Sequence, residues 1–569
     1  MKSRQRPAER RLMNFAHLLI VVIAAIGITI FAERRDIQAP LLISLVGLAA
    51  SFIPGVPRLE LEPHIILTIV LPPLLFSAAS EFSLVSFVRR LGSIVNLGVF
   101  LVAVTTGVVG AIAFWIVPYL SLPAAMVLAA VVSPTDAVTA VAIGRKLGLP
   151  SRLMTVLKGE SLINDAAALT LFSFTAATIT GFSLPIHNIM LYFAYSAFVG
   201  IFTGSVLAAI VHRIRMHLTN ASLITVLNVL VPFTAYMLAE EFGASGVLAV
   251  VAAGLTLGHN SPETAAASRI QERQFWSTLD ALLEAFVFAY IGLQLRFVID
   301  DAQDSGFELW GLLWVSLLVL AAVIGVRLAW VFLTAALRDW TEPARRRSIR
   351  QRLLREEQRP PHRGRGRRRK HQEPPEPFPW RENLIIGWSG MRGVVTLAAA
   401  SGVPVVTAGG EPFEGRNAIL AIAFIVTIGT LLIQGLTLPW LIDRLQVSDP
   451  NEENHRLTHF ELARTLSRQA AIDTVTVYRD QQHEEEGKRL AQAFLERLEG
   501  TTAEARPPWA GSDGASIITL SRRVLQARRQ ALIAARDAEK LDDEVLREVL
   551  EQMDREQAVA DNWSPQQFR

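Results

Sequence analysis

Apolar runs separated by short polar stretches fill most of the chain. The first follows a basic start, MKSRQRPAERR, within residues 1–31. Others occupy 41–53, 64–79, 91–117, 122–144, 153–180 and 189–211, then 223–238, 244–257, 275–295, 309–337, 384–406 and 418–441. Most approach the roughly 20 residues that a helix needs to cross a bilayer's hydrocarbon core. In lipid a backbone must satisfy its own hydrogen bonds, which favours helices at this run length. The pattern predicts an all-α, polytopic membrane domain of about 13 transmembrane helices over residues 1–447.

Two stretches break the pattern. Residues 338–380 are rich in Arg and Pro, including RPPHRGRGRRRK, and show no apolar periodicity. They predict a basic surface loop without regular structure. Between two membrane runs, such a loop fixes topology or touches anionic lipid, and does not bind nucleic acid. From 448 to 569 the composition turns soluble, with apolar residues at helical spacing among Glu, Lys and Arg. Pro507, Pro508 and the glycines at 511 and 514 divide this tail into two helical parts. It predicts a helical cytosolic domain that assembles, stabilises or regulates.

Composition changes the picture in two ways. Hydrophobic residues make up 51% of the chain and charged ones only 19%, too few charges for a soluble protein of this length. With no cysteine, disulfides, thiolate catalysis and Cys-based metal sites are excluded. Arginine and lysine cluster on alternate connections, at 89–90, 145–152, 212–215 and 338–370, which predicts that these face the cytoplasm. The acidic connections at 240–241 and 300–304 then face outward, and the C-terminus lies inside. The basic N-terminus opposes this scheme. Either the true start is Met13 or one span is miscounted, and the many loops outweigh the single end. Residues 32–35 offer no small-residue cleavage site, so the first run predicts a retained helix rather than a leader.

The candidate chemistry lies between 131 and 180. One apolar run is interrupted by Ser133, Pro134, Thr135 and Asp136. Pro134 lacks an N–H and disfavours helix before it. The next run carries Glu160, Ser161, Asn164 and Asp165. Residues four apart share a helix face, so Glu160 stacks on Asn164 and Ser161 on Asp165. That face cannot meet lipid, because unsatisfied polar groups cost several kcal/mol there. Ionisable groups inside such runs are functional candidates. A broken membrane helix beside a carboxylate is the pattern of an ion site in secondary transporters.

SPTDAVT (133–139) followed by GESLINDA (159–166) resembles the monovalent cation:proton antiporters of the first group, the sodium/proton exchanger family. PPLLF at 72–76, FAYIGLQL at 288–295 and GWSGMRGVVTLA at 387–398 fit the same family in the same order, and the resemblance spans about 41–441. It implies inverted repeats with two broken helices crossing at the midplane, the second at Gly387, Gly390 and Gly393. It also implies a homodimer in the cytoplasmic membrane that exchanges Na+ for H+ in pH and sodium homeostasis, with K+ or mixed cations as the alternative. No cofactor is implied.

A carboxylate in a partly wet cavity can hold either a proton or a cation, and that competition is an exchange mechanism. The candidate carrier is Asp165, with Asn164 beside it as an ion-binding residue and Ser161, Thr135 and Asp136 completing an oxygen shell for Na+. By resemblance, the Asn164–Asp165 pair implies electroneutral exchange, whereas two aspartates there would imply electrogenic exchange. By resemblance too, Glu160 pairs with a membrane arginine. Arg327 is the candidate, and Arg392 faces the second broken helix. Unpaired, Glu160 and Asp165 would repel each other on one helix face.

Other classes fit less well. A channel would need a filter-like loop, and none is visible. An intramembrane hydrolase would need a nucleophile with its base, but no histidine lies near the carboxylates and Ser161 has no base. Glu284 matches a family glutamate and reads as a structural or pH-sensing group, or as an end-of-span residue. Lys158 extends its ammonium inward. His64, His187 and His259 sit at span ends in solvated roles, and Trp115, Tyr119 and Trp440 suit the membrane interface.

Overall fold

The computed structural model describes residues 7–562, apart from 36, 55–65, 118–119, 182–185, 187, 219, 358–376, 414, 448–449 and 500–513. His64, Tyr119, His187, Pro507, Pro508 and part of the basic stretch therefore lie outside the described residues. Nearly everything described is helical, apart from an isolated bridge between Val406 and Pro412. Among the described residues, seven helices are long and apolar enough to cross a membrane: Leu84–Ile116, Ser151–Thr180, Ile189–Arg215, Ala221–Glu241, Ala266–Asp304, Leu309–Arg338 and Arg416–Leu445. Shorter apolar helices cover Ala39–Ser51, Ile66–Ser80 and Leu122–Val132. Polar side chains start several of them. Ser83, Asn188, Asn220 and Ser245 each accept from a backbone N–H of the first turn, which would otherwise lack a partner.

Two sets of helices pack side by side. In one, Ala39–Ser51 lies along Ala266–Asp304, and Gly246–Asn260 packs against Ile66–Ser80, Ile189–Arg215 and Ala221–Glu241. Gly292 permits the first contact, because a Cβ there would come 2.4 Å from the carbonyl oxygen of Ser44. Small residues let membrane helices approach this closely. In the other set, Leu122–Val132 packs between Leu84–Ile116 and Ser151–Thr180, and Leu309–Glu357 contacts Trp380–Trp388 and Arg416–Leu445.

Two predicted runs split. Residues 122–144 form Leu122–Val132 and Val138–Lys146, and the run at 384–406 forms Trp380–Trp388 and Val394–Ser401. One expectation is corrected. The stretch after Arg338 was expected to lack regular structure, but the helix from Leu309 continues to Glu357. Its Arg, Gln, Leu and Glu are good helix formers. Apolar periodicity marks a buried face, so its absence did not exclude a solvated helix.

Among its described residues the tail forms four helices: Pro450–Gln481, Glu485–Glu499, Gly514–Asp537 and Asp543–Asn562. Two small cores hold them, one around Leu532, Leu546 and Met553, the other around Val475, Leu490 and Leu520. The tail docks on the membrane helices through charge. Arg547 donates to the carbonyls of Ser80, Glu81 and Phe82 at 3.3, 2.8 and 3.0 Å, at the end of Ile66–Ser80. Asp554 is buried between Arg269 and Arg529, and Arg536 donates to the carbonyl of His259.

Candidate functional site

The site lies where two interrupted helices meet. The first interruption, residues 133–137, follows Leu122–Val132; the second, 389–393, follows Trp380–Trp388. The Asp136 N–H donates to the Met391 carbonyl at 2.7 Å, so the two interruptions are in direct contact. The Asp136 carboxylate accepts from the Val138 N–H at 2.8 Å and lies against Gly393, beside the start of the helix at Val394. Val138 and Val394 each begin the second half of a broken helix, where backbone N–H groups and the helix dipole favour a negative charge. Gly393 makes this possible: a Cβ there would lie 1.9 Å from Asp136 Oδ2.

Arg392 answers from the other interruption. It is 1% exposed, and its Nε donates to the Val132 carbonyl, the last of the first half-helix, at 3.1 Å. Its Nη1 donates to the Gly390 carbonyl, and its backbone N–H donates to Thr430 Oγ1. A cation at a helix C-terminus is favourable for the same dipolar reason.

Helix Ser151–Thr180 brings four polar side chains to the crossing, and they divide into two kinds. Glu160 and Arg327, each 2% exposed, form a two-pronged pair: Nη2 meets Oε2 at 2.9 Å and Nη1 meets Oε1. Arg327 also donates twice to the Ile386 carbonyl, at 3.1 and 2.9 Å. Thr135 Oγ1 donates to Glu160 at 2.9 Å and accepts from Asn164 Nδ2 at 2.7 Å. Asn164 Nδ2 also reaches the Thr135 carbonyl at 2.9 Å. Glu160, Thr135 and Asn164 thus form a closed network, with the glutamate's charge matched.

Asp165 is different. It is 6% exposed and has no hydrogen-bond or ion-pair partner among the described residues. It lines a cavity of about 520 Å³ together with Thr135, Asp136, Ser161, Asp280 and Glu284. Ser161 Oγ accepts from the Ala137 N–H at 3.3 Å, which ties this wall to the first interruption. Lys158 lines the same cavity. The structure therefore brings Asp165, Ser161, Thr135 and Asp136 to one space, and places Glu160, Asn164, Arg327 and Arg392 behind it.

Sequence reasoning missed Asp280. It accepts from Ser77 on Ile66–Ser80 and shares the cavity with Glu284, four residues on. The available signal was that spacing: two carboxylates on one face of an otherwise apolar helix.

A membrane-embedded cavity of carboxylates and hydroxyls at two touching helix interruptions defines an ion-coupled transporter. Residues 20–444 match the model of a family described as "Sodium/hydrogen exchanger, transmembrane". The chain belongs to the sodium/hydrogen exchanger family and is a monovalent cation/H+ antiporter, not an enzyme. An uncharacterized Na+/H+ exchanger of Mycobacterium tuberculosis is 31% identical over 570 residues, covering 98% of both chains. A sodium, potassium, lithium and rubidium/H+ antiporter of Bacillus pumilus is 30% identical over 418 residues, 72% of this chain and 58% of that one. Na+/H+ antiporter ApNhaP of Aphanothece halophytica is 27% identical over 82% of this chain and 80% of its own. The fold is that of the sodium proton antiporter MjNhaP1 from Methanocaldococcus jannaschii, solved at pH 8. The two superpose with a TM-score of 0.57 over 76% of this chain and 99% of the other, at 19% identity.

Proposed function

We propose that this antiporter exchanges one monovalent cation, Na+ in first place, for one proton at Asp165. The observation that carries this reading is the contrast between two carboxylates five residues apart on one helix. Glu160 has its charge matched by Arg327, while Asp165 faces the cavity with no partner among the described residues. Asp136 accepts from the N-terminus of one half-helix and lies against that of the other, so its charge already has a structural use. That leaves Asp165 as the group free to trade a proton for a cation. Ser161, Thr135 and Asp136 supply further oxygens, and Asp280 and Glu284 add negative charge that concentrates cations in the cavity.

With one exchanging carboxylate, the cycle moves no net charge. The two interruptions belong to inverted repeats in a bundle of about 13 spans, which works as a homodimer in the cytoplasmic membrane. The tail lies on the cytosolic side, with residues 1–447 as the antiport domain and 448–569 as the tail domain. The physiological role is pH and sodium homeostasis. A second reading, exchange of K+ or of several alkali cations, is favoured by the named activity of the Bacillus pumilus relative.

The test is proton flux in proteoliposomes, reported by a pH-sensitive dye, with Na+, Li+, K+ and Rb+ offered in turn. Na+-driven flux that Asp165→Asn abolishes supports the proposal. Wild-type flux in that variant defeats it, and equal rates with K+ and Rb+ favour the second reading.

A further inference from the structure

Thr396 sits in the first turn of Val394–Ser401, just past the second interruption, and is 1% exposed. It lies on the wall of the cavity that holds Asp165, Asp136 and Ser161. Its Oγ1 is buried and has no hydrogen-bond partner among the described residues. Buried hydroxyls are normally paired, so an orphan in a native fold calls for a reason.

The local reason is the helix break. Several threonines within this chain's continuous helices donate to the carbonyl four residues back: Thr170 to Ala166 at 2.7 Å, Thr256 to Ala252 at 2.7 Å, and Thr427 to Ala423 at 2.8 Å, although the buried Thr106 and Thr139 hydroxyls, like that of Thr396, have no partner among the described residues. Four residues before Thr396 is Arg392, which lies inside the interruption and ahead of the helix. The break therefore removes the acceptor that would have occupied the hydroxyl.

Packing does not account for the hydroxyl either. Val394, Val395 and Leu397 surround it in sequence, and a valine would fill the same shape without an orphaned polar atom. Thr396 shares its cavity wall with carboxylates, beside which a neutral oxygen has a direct use. Hydroxyl and carboxylate oxygens are the hard ligands that small, oxygen-seeking cations take.

We infer that the Thr396 hydroxyl oxygen coordinates the transported monovalent cation, as a ligand supplied by the second broken helix. This inference rests on Asp165 being the exchange site. It gives each interruption a part in binding: the first brings Thr135 and Asp136, and the second brings Thr396. The coordination shell is then complete only while the two interruptions stay in contact.

The experiment uses the full chain in proteoliposomes with Na+ as the probe. It compares Thr396→Val, Thr396→Ser and Asp165→Asn at one pH. Thr396→Val is expected to raise the KM for Na+ roughly tenfold or more, the size of one lost hydrogen bond-like contact to a charged group, with Vmax and melting temperature near wild type. Thr396→Ser is expected to keep the KM near wild type. An unchanged KM in Thr396→Val overturns the inference. So do equal losses in the Val and Ser variants, which would mark a packing role. If Thr396→Val does not fold, Thr396→Ala is read the same way. An inactive Asp165→Asn beside a wild-type-like Thr396→Val removes the Thr396 ligand alone, whereas an active Asp165→Asn removes the exchange site itself.

Discussion

Asp136 and Arg392 cap each other's broken helix. Asp136, in the first interruption, lies against Gly393 at the N-terminal end of the second half of the other helix. Arg392, in the second, donates to the carbonyl that closes the first half of Asp136's own helix. Interrupting a helix in a membrane leaves orphan N–H and C=O groups that no water can satisfy. Here each interruption supplies the charge that the other one lacks. The pair fixes the crossing geometry on which the cavity depends, and leaves Asp165 outside the capping scheme.

This arrangement makes Gly393 a sensitive position. Gly393→Ala would place a methyl group 1.9 Å from Asp136 Oδ2, so the carboxylate or the backbone must move. Transport in proteoliposomes is expected to be lost, with a fall in melting temperature. A variant with normal flux and stability would show that the two interruptions do not meet this closely.

The local parts of this site were legible in the sequence, and the long-range parts were not. Pro134 announced the first interruption, because proline removes a helical donor wherever it falls. The glycine cluster at 387, 390 and 393 announced the second, and four-residue spacing placed Ser161 with Asp165. Arg327 was nameable as Glu160's partner because the family resemblance implies a membrane arginine there and few arginines lie deep in an apolar run, although 167 positions separate the two. Thr396 and Asp280 gave no such signal, since their meaning depends on which wall of a cavity they line. The docking of Asp554 on Arg269 was equally hidden, because both sit among many surface charges in the sequence.

Voltage dependence tests the count of exchanging carboxylates. If Asp165 alone trades ions, one charge enters for each that leaves. Setting a membrane potential with valinomycin and K+ should leave the rate of Na+-driven proton flux unchanged. A rate that follows the imposed potential would mean that a second group, with Asp280 and Glu284 the first to test, carries a proton as well.

The Glu160–Arg327 pair should matter most when it is half removed. Both groups are 2% exposed, so Arg327→Ala leaves an uncompensated carboxylate at membrane depth. Losing one partner of a buried pair costs about 3–5 kcal/mol. Arg327→Ala is expected to lower the melting temperature in detergent, and adding Glu160→Gln should recover part of the loss. The double-mutant cycle isolates their coupling, and strictly additive losses would contradict the contact.

The tail offers a comparison in which burial alone sets the outcome. Asp554 has 3% of its side chain exposed and holds both Arg269 and Arg529, whereas Glu548 is 52% exposed and faces Arg456 at the surface. Exposed pairs contribute about 0–1 kcal/mol and are screened by salt. Asp554→Asn leaves the buried Arg269 and the partly buried Arg529 without their carboxylate, and the cost should approach the ~3–5 kcal/mol of a broken buried pair. Thermal unfolding of the full chain is therefore expected to drop clearly for Asp554→Asn and to barely change for Glu548→Gln. Raising the salt to about 1 M, where the Debye length is near 3 Å, should erase any Glu548 effect and leave most of the Asp554 effect. Similar, salt-sensitive losses in both variants would mean that Asp554 sits in solvent, and that the tail is not seated on the membrane helices through Arg269.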